Sequence, residues 1–178
     1  MMSKAVHARQ TTTPWSVPVT LQDVPEDGLQ LELKADEATR AAVAKSAGLR
    51  ALPRLKASFE VKRHPGNGLH VIGHVSATVG QDCVVTLDPV ENELEEQVDL
   101  LFLPGAPMET VDGADEAPEP LVNETIDLGV IATEFLILGI DPYPRKPEAV
   151  FQAPKAEDEA GSHPFAALAA LQKKTGQP

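Results

Sequence analysis

Arg54-Leu55-Lys56-Ala57-Ser58-Phe59-Glu60-Val61-Lys62 alternates polar and apolar side chains without a slip. Successive side chains of a strand point to opposite faces. This period of two therefore puts Leu55, Ala57, Phe59 and Val61 on a core face and the polar set in water. His64-Pro65-Gly66-Asn67-Gly68 follows, a turn cluster whose Gly and Asn tolerate positive φ. Alternation resumes at Leu69, Val71, Gly73, Val75, Ala77 and Val79, which predicts an antiparallel hairpin. Gly80-Gln81-Asp82 reads as a short connection and Cys83 to Leu87 as a third strand. Asp88-Pro89 marks another turn, after which Leu94, Val98, Leu100 and Phe102 fall on alternate positions. The fold expected is α+β: an antiparallel β-sheet meander, two packed helices and a short tethered C-terminal helix.

The flanks supply the helices. Val17 to Val24 suits a first extended segment and Gly28 to Lys34 a short strand. Asp36 is placed to cap a helix over 36–47 that Gly48 stops. Asp127 caps a second helix to about Leu138, with Leu128, Ile131, Phe135 and Leu138 on one face and Gly139 and Pro142 ending it. Residues 104–122 lose all periodicity and are rich in Pro, Gly, Ala and acids, so a disordered loop is expected there. Residues 1–14 are expected to be flexible, 15–147 to form the domain and 148–163 an acidic linker. Phe165, Leu168 and Leu171 recur at helical spacing within a last helix over 164–174. Eleven residues are marginal as an isolated helix, so this one needs a surface.

The chain has 178 residues, a length suited to one domain with tails. Hydrophobic residues make up 42% but aromatic ones only 4%, so the core must rest on Val, Leu, Ile and Ala. One cysteine cannot form an internal disulfide and fits a reducing compartment. The polar, Thr-rich start lacks the apolar stretch of a secretory signal, and no apolar run approaches the roughly 20 residues of a membrane span. A cytoplasmic protein without a membrane partner is expected. Net charge is −12, which opposes free association with nucleic acid. Its distribution is uneven. Residues 40–63 carry seven basic side chains against the single Glu60, whereas 104–125 carry six acidic and no basic ones.

No catalytic signature stands out. There is no G-x-G-x-x-G and no G-x-x-x-x-G-K-[ST], so nucleotide-binding loops have no support. His70 and His74 share a strand face near Cys83, but a C-x-x-C pair is missing because Thr86 stands in the second place. A Cys83–His74 nucleophilic pair lacks an orienting third group. Glu134 could serve as a lone carboxylate or anchor a basic partner. No catalytic residue, metal or cofactor is expected. The candidate contact surface is the basic stretch, with Arg54, Lys56 and Lys62 on one strand face and Arg63 beside them. Glu93, Glu95 and Asp99 could equally neutralise that face across the sheet. Tyr143, Arg145 and Lys146 sit among Pro142, Pro144 and Pro147, a stiff strip that is either a clamp or a recognition element.

Several of these stretches resemble the YceD family of large ribosomal RNA subunit accumulation proteins, most closely its alphaproteobacterial type. They are Val75 through Val90, the Asp127-Leu128-Gly129 helix start, Glu134, Pro142-Tyr143-Pro144-Arg145 and the Phe165 to Leu171 tail. The resemblance covers roughly residues 15–150. It implies a non-enzymatic role in accumulation or processing of 23S rRNA, and hence the pre-ribosomal large subunit as partner. The contact would be either 23S rRNA or a basic ribosomal protein. A module that binds a basic partner through the acidic segments and the last helix is the alternative, and an RNA-processing enzyme a third. Many relatives carry a C-x-x-C pair where this chain has Cys83 and Thr86, so a metal role does not transfer.

Overall fold

The computed structural model describes residues 13–106 and 117–151. The last helix expected over 164–174 lies outside the described residues. So do residues 1–12, most of the 148–163 linker and the middle of the 104–122 loop.

The hairpin is the frame. Strands β3 (Ala51–His64) and β4 (Gly68–Asp82) pair from Arg54↔Thr78 to His64↔Gly68 around the expected turn. Gly66 and Asn67 take φ of 86° and 59° there, the left-handed region in which these two residues are tolerated. On one side β2 (Leu29–Lys34) adds to β3, and on the other β5 (Pro89–Leu103) adds to β4, all antiparallel. A two-residue strand β6 (Glu119–Pro120) runs parallel to the end of β5, so the five-stranded sheet is mixed. β1 (Pro18–Thr20) and β7 (Thr125–Asp127) form a separate antiparallel pair. The two helices are α1 (Glu37–Ser46) and α2 (Leu128–Gly139).

Three expectations need correction. Cys83–Leu87 is a loop, and β4 continues through Gly80-Gln81-Asp82, which had read as a connection. An apolar run suggests a strand, but two short-range bonds close this one on itself. Cys83 N–H donates to the Asp88 carbonyl and Leu87 N–H to the Cys83 carbonyl, each at 2.8 Å. The fourth antiparallel strand is instead β2. Second, only Pro18–Thr20 of the first segment is extended, since Leu21–Asp23 turns as a 3-10 helix under the Thr20–Asp23 hydrogen bonds. Third, Leu138 does not join the buried stripe of α2. It is 77% exposed, while Leu128, Ile131, Ala132 and Leu136 are buried.

The core lies between the inner sheet face and the helices. Leu55, Ala57, Phe59 and Val61 of β3 meet Leu69, Val71, Val75 and Ala77 of β4, with Leu94 and Val98 of β5. Burying each large aliphatic side chain stabilises by roughly 1.5–3 kcal/mol. Asp36 caps α1 by accepting from Thr39 N–H at 2.7 Å, as its position predicts.

Candidate functional site

The outer face of the sheet carries the charged residues, and register decides which of them meet. Along β3 this face presents Arg54, Lys56, Ser58, Glu60 and Lys62; along β5 it presents Glu91, Glu93, Glu95, Gln97 and Asp99. β4 separates them with small or polar residues, including Thr78, Ser76, His74 and His70. Arg54 reaches across β4, donating to Thr78 Oγ1 and Ser76 Oγ on the way to an ion pair with Glu93. The Thr78 hydroxyl, and then Arg54, hold the Glu93 carboxyl below its usual range. His70 Nε2 lies 2.6 Å from Asp99 Oδ1 in the same cross-strand manner. Of the two readings of the basic face, internal neutralisation therefore describes Arg54.

The remaining candidates divide as follows. Lys62 pairs with Glu60 at 2.9 Å. Arg63 has the parity of the core face and donates from Nε to the Val24 carbonyl at 2.6 Å, securing the chain before β2. Lys146 Nζ holds Asp88 Oδ2 at 2.9 Å. Tyr143 and Arg145 are exposed on the proline-rich strip, near the far end of β4 and away from Lys56. The seven positions do not form one patch. Lys56 stands apart: among the described residues no carboxylate lies within ion-pair distance of it. Directly opposite on β2 is Lys34, equally without an ion pair. Both line a hollow of about 360 Å³ with Ser58, His74 and Ser76, beside Glu32. The sequence reading missed Lys34. Its signal was the alternation of Gln30, Glu32 and Lys34, which becomes informative only once β2 is known to pair with β3.

The Cys83 loop is clasped by the strip. Val84 N–H donates to the Pro144 carbonyl at 2.9 Å and Lys146 N–H to Cys83 Sγ at 3.5 Å. Gln81 Nε2 holds the Asp141 carbonyl at 2.8 Å, so the backbone of the strip acts as a clamp. The Thr86 hydroxyl first, then the Lys146 and Thr86 backbone N–H groups, lower the Cys83 thiol from an ordinary 9.0 to about 6. A thiol with a depressed folded-state pKa stabilises fully above its unfolded value and loses that contribution as pH falls towards the folded one. Cys83→Ala should therefore flatten the part of the stability profile that rises between pH 6 and 9, read from urea midpoints across that range. Leu87, at φ 61° and 76% exposed, holds a backbone conformation costly for a bulky side chain.

A groove lies between α2 and the end of β5. Leu100 and Phe102 of β5, Phe135 and Leu138 of α2, and Val122 line a space of about 490 Å³, with Glu119 and Glu134 among its polar groups. Burial, and then Glu119, raise the Glu134 carboxyl above its usual range. Among the described residues no group of three His, Cys, Asp or Glu could hold a metal ion, and no helix is long and apolar enough to cross a membrane.

Comparison with protein families matches residues 71–172 to the large ribosomal RNA subunit accumulation protein YceD. That span exceeds half of the chain and includes most of β4, all of β5, α2 and the strip. The chain belongs to the YceD family. No curated protein and no solved structure matches it. The YceD match begins inside β4 and runs beyond the last described residue into the 164–174 tail. The YceD family is named for accumulation of the large subunit's RNA, which places this chain's role in that process.

Proposed function

We propose that this protein is a binding factor for biogenesis of the large ribosomal subunit. It supports 23S rRNA accumulation by holding a basic ribosomal protein in the cytoplasm, without chemistry of its own. Family membership supports the process. One structural observation carries the contact: Glu91 and Glu95 on the outer face of β5 are exposed and have no ion-pair partner among the described residues, whereas Arg54 and Lys62 are neutralised within the fold. Glu91 and Glu95 share that face roughly 13 Å apart along the strand, so a cationic partner would meet both. The chain's net charge of −12 acts in the same direction at long range.

The Lys34–Lys56 pair favours a second reading, direct contact with an rRNA phosphate. Like charges directly opposite on neighbouring strands are unfavourable until an anion bridges them. Complementation of a deletion strain separates the two readings. E91K/E95K should fail to restore the 23S to 16S ratio and the free large subunit, whereas K34E/K56E should restore both. The reverse pattern would support the phosphate contact. A deletion strain with unchanged 23S rRNA would remove the biogenesis role itself.

A further inference from the structure

We propose that the groove between α2 and the end of β5 is the dock for this chain's own C-terminal segment, residues 164–174, bound as a short helix with its apolar stripe inward. The groove is an unfinished piece of core. Ile131, Phe135 and Leu138 lie on one stripe of α2 at helical spacing, and exposure rises along it from buried, through half-buried, to 77% at Leu138. Val122, 60% exposed, lines the same groove. Surface leucines scattered singly need no explanation, but this one continues a core stripe into a groove floored by Phe102 and Phe135.

The tail has the matching pattern. Phe165, Leu168 and Leu171 each fall three residues apart, so three apolar side chains share one broad helical face. Residues 164–174 contain no acid, and Lys173 and Lys174 close them. The groove supplies the complement in Glu119 and Glu134, two carboxylates lining one hollow whose like charge a lysine would relieve. Reach is no obstacle. The fourteen residues from Phe151 to Phe165 span up to about 45 Å when extended. A domain of this size has a radius of gyration of roughly 14 Å. The groove and the tail as far as Gln172 also fall within the one span matched to the family.

Zero-length carbodiimide cross-linking of the full-length protein tests this, on an equal mixture of unlabelled and ¹⁵N-labelled chains read by mass spectrometry. The ion pairs Lys62–Glu60 and Lys146–Asp88, both at 2.9 Å, are internal controls. The expected products join Lys173 or Lys174 to Glu119 or Glu134 within chains of a single isotope. Leu138→Glu, at an exposed position, should lower their yield about tenfold while leaving the control links unchanged. Control links without tail links would overturn the proposal, as would an undiminished yield in the Leu138 variant. Tail links found only between chains of different isotope would assign the groove to a second copy instead.

Discussion

Replacing Gly73 by alanine should destabilise the domain by about 3 kcal/mol, the upper part of the range for forcing an extra group into a packed interior. Gly73 sits mid-strand in β4, opposite Phe59 of β3 and Val98 of β5. A Cβ there would overlap the Ser58 carbonyl oxygen and stand 2.7 Å from Phe59 Cδ1 and 3.1 Å from Phe59 Cα. The ring could turn away, but the neighbouring backbone can yield only by spreading the hairpin that frames the fold. Thermal denaturation should show a midpoint lower by roughly 10 °C. Trimming the ring as well, in Phe59→Leu/Gly73→Ala, should not restore stability, because the clash with Ser58 is independent of the ring. A Gly73→Ala protein within about 0.5 kcal/mol of wild type would show that the strands do not approach this closely.

Asp127→Ala should cost about 2–3 kcal/mol, since one carboxylate serves four donors. It caps α2 by accepting from Gly129 N–H at 3.0 Å and Val130 N–H at 3.1 Å. It also accepts from Val17 N–H at 2.8 Å and the Ser16 hydroxyl at 2.5 Å, tying the start of the domain to the helix that lines the groove. Gly129 permits the arrangement, because a Cβ at that position would lie 2.8 Å from the Trp15 carbonyl oxygen. Asp127→Asn keeps an acceptor and should lose about 1 kcal/mol. Urea denaturation measures both. Hydrogen exchange should show faster loss of protection at Val17 and Gly129 in the alanine variant. Equal costs for the two substitutions would mean that charge at the helix start, rather than the hydrogen bonds, provides the stabilisation.

The hairpin, both helix starts and the α+β class were legible in the sequence because each depends on neighbours along the chain. A period of two reports which face of a strand is buried, and it correctly assigned Leu55, Phe59 and Val61 to the core and Arg54, Lys56 and Lys62 to the outer face. Asp36 and Asp127 announce helices because a cap binds backbone two or three residues ahead. The loop at Cys83–Leu87 was misread because its apolar composition suits a strand, while the bonds that bend it are set by geometry rather than by side-chain type.

The candidate site was less legible, for a different reason. Periodicity assigns a residue to a face but says nothing of register or of which strand lies alongside. Arg54 meets Glu93 across an intervening strand, 39 residues away, and Lys34 meets Lys56 only through β2 pairing with β3. Leu138 has the spacing of a core residue, yet the groove beside it is left open among the described residues. What the sequence determined by itself was local: strand faces, turns, caps and an acidic composition. Tertiary structure alone decided which charges neutralise one another and which stay available to a partner, because pairing depends on distances that only the assembled sheet sets.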